Sequence, residues 1–117
     1  MFNTFFNKLD RGYSINFEGM CFNIEFWTHA NRRLRERLIS RFLVYDAIKR
    51  GMDEILDCHL GERFALISSD IAQIVIAVMT KQGKKGDDYN IEVVTLIDDV
   101  ELRNSAKYSN TIEINVG

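Results

Sequence analysis

The nine residues from Ala72 to Thr80 (AQIVIAVMT) constrain the fold more than any other part of this chain. Ile74 to Met79 are apolar without a break, and Val and Ile favour extended backbone. A strand with one wet face alternates apolar and polar residues, whereas this run leaves no side for water. It therefore predicts a central strand covered on both faces. The neighbouring runs RFALISS (63–69) and YNIEVVTLID (89–98) are also rich in Val and Ile. The separators, Asp70-Ile71 and KQGKKGDD (81–88), suit hairpins. Three strands joined in this way form an antiparallel meander, expected at 63–69, 72–80 and 90–98.

Upstream the pattern changes twice. In GYSINFEGMCFNIEFW (12–27), Ile15 and Phe17, then Cys21-Phe22, Ile24 and Phe26, alternate with polar residues on either side of Glu18-Gly19. This reads as one or two strands with a turn at Gly19. From Thr28, an acceptable N-cap, Ala30, Leu34 and Leu38 recur every four residues along one helix face. An interruption near Ile39 is expected, because Ser40 can cap a second helix, RFLVYDAIKR (41–50), that Gly51 ends. Phe2, Phe5 and Phe6 have the spacing of a short N-terminal helix, and NTIEINV (110–116) alternates well enough for a last edge strand. The order predicts an α+β domain, with two short helices packed on one side of a three- to five-stranded antiparallel sheet and residues 1–117 forming a single domain.

No apolar run approaches the roughly 20 residues of a membrane span. Asn3, Asn7 and Lys8 interrupt the Phe-rich start, which argues against a secretory signal. Cys21 and Cys58 lack metal-ligand spacing and read as packed thiols of a cytoplasmic protein. No metal or other cofactor is expected. Asp98, Asp99 and Glu101 cluster as a cation site would, but adjacent carboxylates after a strand are ordinarily a solvated turn.

The formal net charge of −2 is unevenly spread. Residues 29–50 carry seven Arg and Lys against Glu36 and Asp46, whereas residues 51–117 carry six basic and twelve acidic side chains. A polyanion responds to the local patch, so the global sign does not exclude nucleic acid. His29, Arg33 and Arg37 stand at i, i+4 and i+8, a stripe beside the apolar row. A solvated helix face is the plain reading of such a stripe. Against it, Glu36 is alone among Arg32, Arg33, Arg35 and Arg37, where a helix tuned for solubility would interleave carboxylates at i±4. Four mutually repelling guanidinium groups suit an anion that satisfies them.

The stretch HANRRLRERLIS (29–40) fits the pattern H-A-x-x-R-[LM]-x-x-R-x-I-S. It resembles the opening motif of a family of small RelE/BrnT-like toxin proteins, in which a helical pair precedes a three-stranded meander ending in a "vvTv" strand. Val93-Val94-Thr95-Leu96 takes that last place here. The resemblance covers about residues 22–98, and the spacing of His29, Arg33 and Arg37 is its most specific part. It implies the barnase/EndoU/colicin/RelE ribonuclease-like fold and metal-independent RNA cleavage by toxins or phage regulators. On that footing His29, Arg33, Arg37 and Thr95 match the family's site positions.

Such cleavage needs a base for the 2′-hydroxyl, cations for the phosphorane-like transition state and an acid for the leaving 5′-oxygen, and it leaves a 2′,3′-cyclic phosphate. Histidine can be base or acid near neutrality, and arginine grips phosphate oxygens in a fork. His59, the other histidine, is either the second proton carrier or an exposed loop residue. Arg32, Arg37 and Arg41 are candidate RNA contacts. So are Lys81, Lys84 and Lys85, which otherwise form a hairpin tip in solvent. Trp27 reads as a core-edge aromatic rather than a base-stacking platform. Two functions follow: a small metal-independent endoribonuclease, with a protein antitoxin or inhibitor as further partner, or a non-catalytic binding protein on the same scaffold, of the immunity, inhibitor or host-factor-binding phage kind. The endoribonuclease is the leading reading, and the acidic net charge and the lack of an assured second proton carrier support the alternative.

Overall fold

The computed structural model describes residues 13–81, 88–98 and 110–114. The expected helix at Phe2–Phe6, the lysines Lys84 and Lys85, and the carboxylates Asp99 and Glu101 lie outside those residues. Along the chain come β1 (Tyr13–Phe17), β2 (Met20–Phe26), α1 (Thr28–Glu36), α2 (Arg41–Arg50), α3 (Met52–Ile55), β3 (Arg63–Ser68), β4 (Ile74–Lys81), β5 (Asp88–Ile97) and β6 (Asn110–Ile114).

The sheet corrects the expected fold class. It has six strands in the order β1-β2-β5-β4-β3-β6 and is mixed, not a three- to five-stranded antiparallel sheet. The meander β3–β4–β5 is antiparallel, as is the β1–β2 hairpin. However, β2 lies parallel to β5 and β6 parallel to β3. Parallel neighbours need a long crossover between them. The β2–β5 pair is separated by all three helices and two strands, so no local pattern announces it. The β1–β2 turn is local: Glu18 (φ 52°) and Gly19 (φ 79°) both take left-handed backbone, as a two-residue hairpin loop requires.

All six residues from Ile74 to Met79 are buried, and β4 runs between β5 and β3. Ala72 and Gln73 precede the strand rather than starting it. Alternation divides β4 between the two faces. Val75, Ala77 and Met79 join the main core with Phe22, Ile24, Phe26, Phe64, Leu66, Ile91, Val93 and Leu96. Ile74, Ile76 and Val78 join a smaller cluster on the other face with Ala65, Val94 and Ile97.

All three helices contribute to the main core, through Ala30 and Leu34 of α1, Val44, Ala47 and Ile48 of α2, and Met52 and Ile55 of α3. They therefore share one face of the sheet. Tyr13 of β1 stacks on Tyr45 of α2 with ring centroids 4.9 Å apart, which ties α2 to the β1 side.

The helix ends follow local chemistry. Thr28 opens α1, but the capping position falls on Trp27, whose side chain makes no cap bond. Ser40 caps α2 as expected, its Oγ accepting from the Phe42 amide at 3.1 Å. Gly51 ends α2 at φ −96°, without left-handed backbone, and the chain turns directly into α3, which no pattern foretold. The expected row Ala30–Leu34–Leu38 breaks at its last member. The chain leaves α1 after Glu36 and Leu38 adopts φ 56°, with its amide bonded to the Arg35 carbonyl (3.3 Å) and that of Ile39 to the Leu34 carbonyl (2.9 Å). This pair of bonds is the usual left-handed helix stop, with leucine where glycine is favoured. The turn carries Leu38 out of the core to 92% exposure.

Candidate nucleic-acid interface

The Trp27 amide donates to the Val93 carbonyl at 2.9 Å, which seats the start of α1 against the middle of β5. Ala30 and Leu34 face the sheet, and the 100° step between helical residues distributes the charges around them. His29, Arg33 and Arg37 form one flank, each half-buried, while Arg32 and Glu36 crown the helix and are exposed. Asn31 and Arg35 occupy the opposite flank, where they line a hollow of about 540 Å³ with Leu38, Ser40 and Arg41. The arginines therefore surround α1 instead of sharing one face.

Each predicted residue can be placed. Arg32 Nη2 lies 3.0 Å from His29 Nδ1. Guanidinium can only donate, so Nδ1 accepts and the ring proton sits on Nε2. In that arrangement Nδ1 is engaged by a neighbouring cation instead of facing a substrate hydroxyl. Arg37 donates from Nε to Gln73 Oε1 at 2.9 Å and lies 3.5 Å from Glu36, so the loop entering β4 orients its fork. Arg33 is half-buried between them along the stripe. Arg41, at the first position of α2, lies 6.0 Å from the centre of the Phe26 ring, towards the Arg35 flank.

Three candidates stand apart from this group. His59 is exposed in the turn before β3, where the Gly61 amide bonds to the Met79 carbonyl beside the C-terminal end of β4. Arg37, in contrast, reaches Gln73 at the other end of β4. Lys81 closes β4 at the His59 end. Thr95 is turned away by a β-bulge: Ile76 pairs with Thr95 but Ala77 with Val93, so Val94 is an extra residue. Directly paired residues share a face, and Ile76 belongs to the cluster opposite the helices, so Thr95 points away from α1. Its hydroxyl contacts only the Leu96 carbonyl among the described partners, at 3.4 Å. The described residues thus unite His29, Arg32, Arg33 and Arg37, and leave out His59, Thr95 and Lys81.

A second polar group, on the opposite face of the sheet, involves a residue that no motif or spacing marks. Glu92 accepts from Trp27 Nε1 at 2.8 Å and from Thr80 Oγ1 at 2.9 Å, and the Arg63 guanidinium stands 5.7 Å from the Trp27 ring centre. A lone carboxylate inside the apolar run IEVVTLI was the available signal. These bonds hold Trp27, 40% exposed, over the sheet face opposite the helices, immediately before α1.

Among the described residues, no group of three or more His, Cys, Asp or Glu side chains gathers in a metal-holding arrangement. No helix there is long and apolar enough to cross a membrane. Cys21 and Cys58 are both free thiols. Burial raises the Cys58 thiol above its ordinary value of 9.0, and the carboxylates of Asp57, Glu54 and Glu62 raise it further. Compared with family models, with curated proteins and with solved structures, the chain matches none.

Proposed function

We propose that this protein is a cytoplasmic RNA-binding protein that holds its ligand through α1 without cleaving it. The observation that carries the reading is the charge placement. Arg32, Arg33 and Arg37 cluster beside His29, and neither α1 nor α2 has an acidic residue in its first turn, where the helix dipole favours one. Arg33 and Arg35 near the end of α1 do suit the dipole, but Arg41 at the start of α2 opposes it, so helix stability alone does not account for the set. Arg33 and Arg37 are one turn apart, about 6 Å along the axis. That interval suits successive phosphates of an extended strand, and guanidinium is the side chain best shaped to hold them.

RNA is also the ligand class implied by the resemblance of residues 29–40 to the toxin motif. Binding without chemistry is favoured because the Arg32 guanidinium lies against His29 Nδ1, and because His59 stands in the turn before β3 and Thr95 on the opposite face of the sheet.

The test is anisotropy of a labelled single-stranded RNA titrated with the full chain over a range of salt. Arg33→Ala/Arg37→Ala is expected to weaken binding and to lower the slope of log K against log salt by roughly 0.7 per lost phosphate contact. Equal affinity and slope in parent and variant would reduce the patch to a solvated face. Analysis of the same RNA on a denaturing gel separates binding from catalysis. Cleavage that persists in EDTA and disappears in His29→Ala would replace this reading by the metal-independent ribonuclease.

A further inference from the structure

Two ends of the molecule are complementary, and we infer that copies of this chain associate head to tail. Leu38 of one copy, flanked by Arg35 and Arg41, enters an apolar groove of the next, lined by Met20, Phe22, Leu56, Leu60, Met79 and Tyr89 and bordered by Glu54 and Asp57.

The head is anomalous on folding grounds alone. Leu38 is 92% exposed in left-handed backbone, a conformation that costs a side-chain-bearing residue about 1–2 kcal/mol and that glycine adopts freely. Phe42, just beyond it on α2, is 54% exposed. Neither the strain nor the exposed apolar surface helps the monomer fold, and strain of this kind concentrates where a contact uses it.

The tail offers what the head lacks. Its groove encloses about 330 Å³, enough for a branched aliphatic side chain, and Leu60 on its wall is 50% exposed. Cys58 lines both this groove and an adjoining hollow that Glu54 and Asp57 also line, so carboxylates stand at its border. Lys81 and Asp88, at the neighbouring strand ends, offset one another. Among the described residues the head carries Arg35 and Arg41 and the border of the tail Glu54 and Asp57, so these charges attract across the contact and repel in head-to-head or tail-to-tail encounters.

The two surfaces of one molecule cannot meet. Arg41 sits over Phe26 at one end of β2 and the groove includes Met20 at the other, about 20 Å away along the strand. The contact is therefore between copies. Because it joins two different patches, it propagates into a ring or an open chain instead of closing as a two-fold dimer. It uses the Arg35 flank of α1 and is independent of RNA binding by the Arg33 flank.

Sedimentation velocity of the RNA-free full chain over a concentration series, at low and high salt, tests the inference. Association that strengthens with concentration and weakens with salt is expected. Leu38→Gly removes the inserted side chain while relieving the backbone, and should raise the concentration needed for association about tenfold or more. Arg35→Glu/Arg41→Glu and Glu54→Lys/Asp57→Lys should each stay monomeric alone, and circular dichroism checks that both are folded. Mixed, they restore both opposite-charge contacts and should assemble. A wild-type chain that remains monomeric at low salt overturns the inference. So does a Leu38→Gly variant that associates like the parent, or folded charge variants that stay monomeric when mixed.

Discussion

Replacing Leu38 by glycine should leave the monomer as stable as the parent or more stable. At an ordinary helical position the same change costs about 0.5–1 kcal/mol, because glycine has more freedom to lose on folding. Here the backbone is already at φ 56°, so glycine relieves roughly 1–2 kcal/mol of strain and returns about 0.5–1 kcal/mol of that through the unfolded chain. At 92% exposure the leucine side chain has little burial to lose. The balance is a gain of about 0–1.5 kcal/mol, or up to roughly 7 °C in Tm for a domain of this size. Leu38→Val serves as the opposite control, since a β-branched residue tolerates left-handed backbone worst and should destabilise. Urea or thermal unfolding followed by circular dichroism, in dilute protein so that association does not contribute, reads both. A glycine variant less stable than the parent by 1 kcal/mol or more, or a valine variant as stable as the glycine one, would refute the helix-stop geometry and the strain inferred from it.

Two further outcomes follow from contacts on the sheet. Glu92→Ala leaves Trp27 Nε1 and Thr80 Oγ1 without their acceptor, and should cost about 1–2 kcal/mol and shift the fluorescence of Trp27, the only tryptophan. Glu92→Gln keeps one acceptor oxygen and should lose less, so an unchanged spectrum in the alanine variant would contradict the network. Cys58 has its thiol raised by burial first and by nearby carboxylates second, so the folded state holds its proton more tightly than the unfolded chain does. Stability from this group is complete below the ordinary thiol value of 9.0 and declines as pH rises through it, because the unfolded chain then releases the proton first. Unfolding free energy measured on the alkaline side should fall less steeply in Cys58→Ala than in the parent, and equal slopes would rule the thiol out as the cause.

Much of the sheet is legible because its strands carry period-two patterns or unbroken apolar runs within a few residues. The β4 run could be nothing but a strand buried on both sides, and its hairpin-like separators set the antiparallel order of β3, β4 and β5. The parallel pairs β2–β5 and β3–β6 are different in kind. They depend on which edge of the meander remains open once the helices have covered one face, and that is decided by three-dimensional packing rather than by any neighbouring residues. The expectation of an all-antiparallel sheet failed at those two pairs.

The placement of the candidate residues was legible to the same depth and departed from the pattern at single residues. Helical spacing correctly put His29, Arg33 and Arg37 on one flank, because an uninterrupted helix obeys its period. It placed Leu38 in the core because it assumed one more turn, and a single left-handed residue sends that side chain outward. Thr95 became a candidate through the resemblance of Val93-Val94-Thr95-Leu96 to the toxin family's last strand, and one extra residue at Val94 turns it to the face opposite α1, which a motif match does not register. In both places one irregular backbone position resets the face that a regular element would have carried on. At Thr95 the reset removes a residue from the proposed phosphate flank. At Leu38 it creates the most exposed large apolar side chain among the described residues and sets it beside Arg35 and Arg41, which is why the head of the inferred contact lies where the helical pattern breaks.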